Sequence, residues 1–248
     1  MSGHSKWSTI KRKKGANDAK RSKMFSKIIK EITVAVKEGG SNIDSNPRLR
    51  LAVQNAKSVN MPKDNVLRAI SKADKDNTNL QEQTYEGYAP HGIALVVECL
   101  TDNINRTVSN IRSIFSKNGG NLGNTGSLNF LFTRKGVFYL KTEGVDLDEI
   151  ELELIDAGAE DVQMEDGRII IITAMEDFGN MQKKLDEMNI EIENAGLERI
   201  PNEKKKLPLE EAKKVMAIVD IFEEDDDVQN VFHNLDITEE LEKALNEE

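Results

Sequence analysis

The chain has 248 residues, 31% of them charged and 5% aromatic, and carries a formal net charge of −10. That length allows two or three compact units with cores of their own, and no apolar run approaches the ~20 residues of a membrane-crossing helix. Cys99 is the single cysteine, which excludes an intrachain disulfide or a zinc site built on several cysteines and makes a reducing, cytoplasmic setting the expectation.

The charge is unevenly spread. Residues 1–75 hold 18 Lys and Arg against 6 Asp and Glu, a net +12, whereas residues 76–248 hold 16 against 38, a net −22. The extreme is the first thirty residues, where Lys6, Lys11, Arg12, Lys13, Lys14, Lys20, Arg21, Lys23, Lys27 and Lys30 stand against one acid, Asp18. Trp7, the only tryptophan, lies among them. Clustered cations beside a planar side chain suit a partner made of phosphates and stackable bases. A basic head on an acidic body also orients a molecule in the field of a polyanion.

In chain order, Gly15–Ala16–Asn17 reads as a turn and cap, and a helix follows from Ala19 with Met24, Phe25, Ile28, Ile29, Ile32, Ala35 and Val36 at helical spacing, ended by Gly39–Gly40. At about 100° per residue, Lys20, Lys23, Lys27 and Lys30 fall in one arc opposite the apolar one, which predicts a solvent-facing basic stripe. Asn46–Pro47 is an N-cap with Pro at the first helical position, opening a helix that carries Arg48 and Arg50 outward and Leu49, Ala52, Val53 and Ala56 inward. Met61–Pro62 opens a third helix carrying Val66, Leu67, Ala69 and Ile70 and ending near Ala73. DKDNTNLQEQ lacks periodicity and is the expected linker.

Beyond it the texture becomes mixed. A nearly continuous apolar strand covers 92–100, a helix 105–117, and the loop NGGNLGNTGS leads to a strand at Leu128–Phe132, giving a β-α-β unit. Strand 137–141, helix 147–157, strands near 162–164 and 168–174 with the turn Asp166–Gly167 between, helix 178–188 and strand 191–197 then spell βαββαβ, the ferredoxin-like order. Helix 209–222 and strand 228–234 have no partner except the earlier sheet. The expected fold class is thus α+β: an N-terminal three-helix bundle at 1–76, a discontinuous α/β domain at 77–134 plus 205–248, and a ferredoxin-like domain at 135–204 inserted in it.

Catalytic signals are weak. His4, His91 and His233 show no metal-ligand pairing and no proximity to Cys99, so no catalytic residue, metal or cofactor is assigned and the chain is expected not to be an enzyme. The glycines of NGGNLGNTGS lack the spacing of a nucleotide loop; a tight connection is the plain reading, with Asn118, Gly119, Gly120 and Asn121 as possible loop contacts to RNA or phosphate. The acids 223–227 lack the alternation of a calcium loop and read as a solvated helix end. The partner expected is nucleic acid, DNA or ribosomal RNA, contacted by Lys6, Trp7, Lys11, Arg12, Lys13, Lys14, Lys20, Arg21, Lys23, Lys27, Lys30, Arg48 and Arg50, with no membrane and a monomeric chain. Trp7 has a second reading, as a staple of the arm onto the bundle.

GHSKW at 3–7, DAKRSKMFSKIIKEI at 18–32, NPRLRLAVQNAKSVNMPKDNVLRAI at 46–70, YEGYAPHGIA at 85–94, ECLTDNINRTV at 98–108, FSKNGGNLG at 115–123, GAEDV at 158–162 and DDVQNVFHNLDI at 226–237 resemble the YebC family nearly end to end. The resemblance implies a three-domain cytoplasmic protein of the kind described as transcriptional regulators. Members are also similar to the mitochondrial translational activator of cytochrome oxidase, and bacterial relatives are connected with stalled ribosomes. DNA-directed transcriptional regulation and RNA- or ribosome-directed translational regulation both remain open. A Lys-dominated patch positions phosphate without reading bases, and no helix-turn-helix reading helix is evident.

Overall fold

A computed structural model describes residues 18–75, 79–165 and 167–247, with side chains from Arg21 onward. It contains α1 (Asp18–Gly39), α2 (Pro47–Ser58), α3 (Lys63–Lys75), β1 (Gln81–Ala89), β2 (Ile93–Thr101), α4 (Ile104–Lys117), β3 (Asn121–Leu122), β4 (Phe132–Lys141), α5 (Leu147–Asp156), β5 (Ala159–Glu165), β6 (Arg168–Ala174), α6 (Phe178–Glu187), β7 (Ile192–Pro201), α7 (Leu209–Glu224), β8 (Val228–His233) and α8 (Glu239–Glu247). The fold is α+β, helical first and then two sheets, each of four strands, in the orders β3-β1-β2-β8 and β5-β6-β4-β7. Packing divides the chain into two units. One gathers the chain up to Lys30, the stretch from β1 to Thr133 and everything from Ile200; the other runs from Glu31 to the end of α3 and takes in Arg134–Arg199.

In the first unit, β2 is the central strand and is buried on both faces, which is why it reads as one apolar run. Its Leu95, Val97 and Cys99 join Ile111 and Phe115 of α4, Val215, Val219 and Phe222 of α7, and Leu241 and Leu245 of α8 in one core. The rings of Phe115 and Phe222 lie 4.7 Å apart. On the other face Ala94, Val96 and Phe232 are covered by Leu128 and Phe132. The α7–β8 return pairs β8 antiparallel to β2, so the C-terminal α-β rejoins the first sheet.

Two sequence expectations are corrected here. The predicted β-α-β unit is a hairpin followed by a helix: β1, part of which falls in the expected linker, pairs antiparallel with β2 along its whole length. Leu128–Phe132 is not a strand, because residues 125–131 turn to lay Leu128 on the sheet, and β4 begins only at Phe132. In α3, Val66, Ala69, Ile70 and Ala73 are buried and Leu67 is 49% exposed.

The second unit holds the ferredoxin-like sheet. In its own strand sequence the order is second, third, first, fourth, with β6 antiparallel to both β4 and β5. Phe138, Leu140, Ile169 and Ile171 form its core with Leu154 of α5 and Met181 and Leu185 of α6. Helix α2 joins this unit through Asn55, whose amide donates to Ala195 O at 3.0 Å and accepts from Ala195 N at 3.2 Å.

Asn46 sets the course of the helices. Its Oδ1 accepts from Leu49 N at 3.0 Å, capping α2 as its position before Pro47 predicts, while its Nδ2 donates to Ala35 O at 2.7 Å and Gly40 O at 2.8 Å at the end of α1. One buried amide thus satisfies two helix ends. Asn46→Ala is expected to cost about 2–3 kcal/mol, since it removes a cap and leaves two carbonyls short of a donor. Asn46→Asp keeps only the acceptor and should recover a minor part of that loss. The urea midpoints of the two variants against wild type measure the difference.

Candidate nucleic-acid interface

The basic side of α1 is defined by what its lysines touch. Lys23 Nζ donates to Glu224 O at 2.7 Å, and Lys27 Nζ to Gln229 O at 3.4 Å. Lys30 Nζ donates to Leu100 O at 3.0 Å, Asp226 O at 2.8 Å and Asp227 Oδ1 at 2.9 Å. The three lysines share one side of the helix, as their spacing predicts, but that side faces the turn between α7 and β8 within its own unit and not open solvent. The run Glu223–Asp227, read as a solvated helix end, is the receiving surface, and it offers mainly backbone carbonyls.

Asp227 is the centre of this contact. It is 5% exposed and has donors on every side. Arg106 Nη2 lies 2.9 Å and Thr107 Oγ1 2.8 Å from Oδ2, with Thr101 Oγ1 at 3.2 Å, while Lys30 holds Oδ1. Its carbonyl accepts from Leu100 N at 2.8 Å. Burial pushes the Asp227 carboxyl up, but the hydrogen bonds from Arg106, Lys30 and Thr107 outweigh it and bring the group from its ordinary 3.8 down to about 2. Four elements meet at one carboxylate: α1, β2, α4 and the turn before β8.

The remaining predicted contacts are dispersed. Lys6, Trp7, Lys11, Arg12, Lys13 and Lys14, with the cap at 15–17, lie outside the described residues, and so does the side chain of Lys20. Arg21 is exposed, its guanidinium carbon 5.6 Å from the centre of the Phe25 ring. Arg48 pairs with Glu38 at 2.7 Å and Glu31 at 3.6 Å. Arg50 donates to Asp44 O at 2.7 Å and stands 3.6 Å from Asp186. Both arginines belong to the second unit, with acidic neighbours already beside them.

The Gly/Asn loop has an internal explanation. Asn118 is the C-cap of α4; Gly119, with φ 74°, and Gly120, whose N donates to Phe115 O at 2.9 Å, close the helix end, and Asn121 begins β3. A Cβ on Gly120 would stand 2.5 Å from Tyr88 O, so only glycine passes there. Farther on, the loop amides do cradle an anion, but it is the protein's own. Glu86, 4% exposed in the middle of β1, accepts from Gly126 N at 3.1 Å and Leu128 N at 2.7 Å, with Ser127 Oγ at 3.5 Å. Nothing in the residue types marks a glutamate between Tyr85 and Gly87 as buried, and sequence reasoning missed it, as it missed Asp227.

The chemically reactive side chains are quiet. Burial, then Asp225 and Asp227, push the Cys99 thiol up to about 12, so it stays protonated at neutral pH. His91, at φ 62° in the turn between β1 and β2, has Nδ1 3.2 Å from Glu211. Among the described residues no helix is long and apolar enough to cross a membrane.

With this geometry in hand, comparison with known proteins is decisive. Residues 5–76 match the TACO1/YebC N-terminal domain, and residues 80–235 match the TACO1/YebC second and third domain. The chain belongs to the TACO1/YebC family. It is similar to proteins named "probable transcriptional regulatory protein" from Amoebophilus asiaticus, 52% identical over 95% of this chain and 98% of the relative, and from Borrelia hermsii, 49% identical over 97% and 100%. A conserved hypothetical protein of Aquifex aeolicus, known from its crystal structure, superposes with a TM-score of 0.78 at 41% identity, covering 88% of this chain and 91% of the other.

In this TACO1/YebC chain the lysine contacts make the basic helix part of the fold's stability. Because the folded carboxyl of Asp227 titrates below its ordinary value, its contribution is full above pH about 4 and is lost as pH falls towards about 2. The shift corresponds to something on the order of 2 kcal/mol. Asp227→Asn should therefore be destabilised near neutrality, and its gap from wild type should close by about that amount as the solution is acidified. Urea titrations from pH 6 down to about 2.5 read the gap directly; a gap that is constant with pH would rule the pairing out.

Proposed function

We propose that this protein is a non-enzymatic, cytoplasmic, nucleic-acid-binding regulator, and that its basic N-terminal segment makes the phosphate contacts. The observation that carries the reading is the charge division, +12 over residues 1–75 against −22 over the rest, with ten cations and one acid in the first thirty residues. The names carried by its relatives support a regulatory role in transcription. Because Lys23, Lys27 and Lys30 are engaged with the α7–β8 turn, the segment Lys6–Lys14 with Trp7 is the part of the cluster on which the contact is placed. Lysines there position a phosphate backbone without distinguishing bases. That property also favours the second reading, an RNA- or ribosome-associated translation factor, over sequence-specific operator recognition.

Full-length protein carrying Lys11→Gln, Arg12→Gln, Lys13→Gln and Lys14→Gln tests the assignment, with Lys183, Lys204, Lys206 and Lys214 changed to Gln as the control. Binding to a DNA duplex and to a structured RNA of equal length is measured over a range of salt. The N-terminal variant should lose affinity on both, and its log–log salt slope should flatten by about 0.7–0.9 for each phosphate contact removed, at unchanged melting temperature. The control should bind like wild type. Tighter binding of RNA than DNA by the parent protein would select translation over transcription. Equal binding by the two variants would refute the N-terminal assignment.

A further inference from the structure

The ferredoxin-like unit carries a surface that the nucleic-acid reading leaves unused. Leu152 of α5 is 75% exposed, Ile155 is 52% exposed, and Met164 on β5 is 62% exposed. These are three of the four most exposed large apolar side chains among the described residues. Leu152 and Ile155 are three positions apart, so they stand together on the outer side of α5, away from Leu154, which is fully buried in the core. Met164 lies on β5, the strand against which α5 packs and an edge of the sheet.

The segment's own charges have one sign, and the cations beside it, Lys184 at Glu153 and Lys135 at Glu160, come from α6 and β4. From Glu143 to Glu165 there are ten Asp and Glu and not one Lys or Arg. On α5, Asp148, Glu149 and Asp156 are helical neighbours of Leu152, and Glu151 of Ile155; all four are exposed. Isolated apolar residues on a surface are ordinary, but two adjacent branched side chains ringed by acids, with no cation in the segment, form a patch with a definite complement. A polyanion is repelled there. The partner that fits is cationic and brings apolar side chains of its own.

We propose that the outer face of α5, with Leu152 and Ile155 as its anchors, docks a basic amphipathic segment of another protein. Charge complementarity selects the occupant, and apolar burial at Leu152 and Ile155 supplies the hold, in the manner of a helix laid on an apolar groove. The chain's own basic helix is a poor candidate, since Lys23, Lys27 and Lys30 are held within their own unit. The inference is independent of the nucleic-acid contact and concerns a different unit of the protein.

The probe is a fluorescent model peptide of about 18 residues with Leu on one helical face and Lys on the other, beside a control in which every Leu is Gln. Anisotropy titrations use full-length wild type, Leu152→Ser/Ile155→Ser, and Glu149→Gln/Glu151→Gln, at about 0.05 M and about 0.2 M salt. The serine variant should bind the Leu–Lys peptide about tenfold more weakly than wild type, while its melting temperature is unchanged because both positions are exposed. The Gln variant should lose affinity chiefly at low salt, and the control peptide should bind weakly and alike to all three proteins. Equal binding of the Leu–Lys peptide to wild type and the serine variant overturns the proposal. So does a wild-type dimer in sedimentation that the serine changes convert to monomer, since that assigns the patch to a second copy of the chain.

Discussion

A carboxylate buried at 5% exposure must be paid for by its neighbours, and at Asp227 it is surrounded by a lysine, an arginine and two threonines. Removing two charges and their partners from water costs several kcal/mol per ion before any attraction is counted, so such a cluster holds only when every lone pair finds a donor. Here both oxygens meet donors, Lys30 at Oδ1 and Arg106, Thr101 and Thr107 at Oδ2, and the condition constrains much else. Lys30 must sit on the side of α1 that faces the α7–β8 turn, Arg106 must lie in the first turn of α4, and Thr101 must end β2. Asp226 O then accepts a further hydrogen bond from Lys30, and the backbone carbonyls of Glu224 and Gln229 are placed to receive the ammonium groups of Lys23 and Lys27. The acidic run before β8 therefore works as an acceptor surface for a basic helix.

This arrangement marks the boundary of what the residues alone reveal. The Asn46–Pro47 cap, the continuous apolar run of β2, the βαββαβ order and the return of the C-terminal α-β to the first sheet were all legible, because each rests on a local rule: capping, two-sided burial, alternation, or the lack of any other partner. Strand β1 was not legible. Its sequence QEQTYEGYA has polar residues and a glycine where an apolar alternation would be looked for, and its central Glu86 is buried only because a loop forty residues onward supplies amides to it. The short strand β3 and the helix α8 were missed as well, and Leu128–Phe132 looked like a strand because an apolar run in a turn has the same composition as one in a sheet. The spacing of the lysine stripe correctly placed Lys23, Lys27 and Lys30 on one face, but whether a charged face meets water or carbonyls depends on elements 200 positions away and cannot be read from periodicity.

The distribution of surface character follows from the same economy of charge. The N-terminal segment concentrates positive charge, the Asp227 network consumes part of it internally, and the ferredoxin-like unit carries acids around an apolar pair on α5. In a protein of net charge −10, the acidic surfaces repel a polyanion, and positive charge is concentrated in the first thirty residues. Glu86 and the glycines of its loop illustrate the complementary lesson: a cradle of backbone amides is not a vacancy when the chain provides its own anion.

The interruption of the first sheet by the inserted unit has a consequence for how the protein is made. On the ribosome, β1, β2 and α4 emerge early, but α7 and β8 come only after the inserted unit, and the carboxylate that Lys30 pairs with lies 197 positions after that lysine. Until then the centre strand has one bare edge and half of its apolar surface in water. The inserted unit, by contrast, has all four strands of its sheet in one continuous stretch and can close as soon as it clears the exit, ahead of the sheet whose strands flank it in sequence. Nascent chains should thus pass through an intermediate with a finished insert and an open host, and a premature stop before Val228 would leave β2 exposed to pairing with other chains.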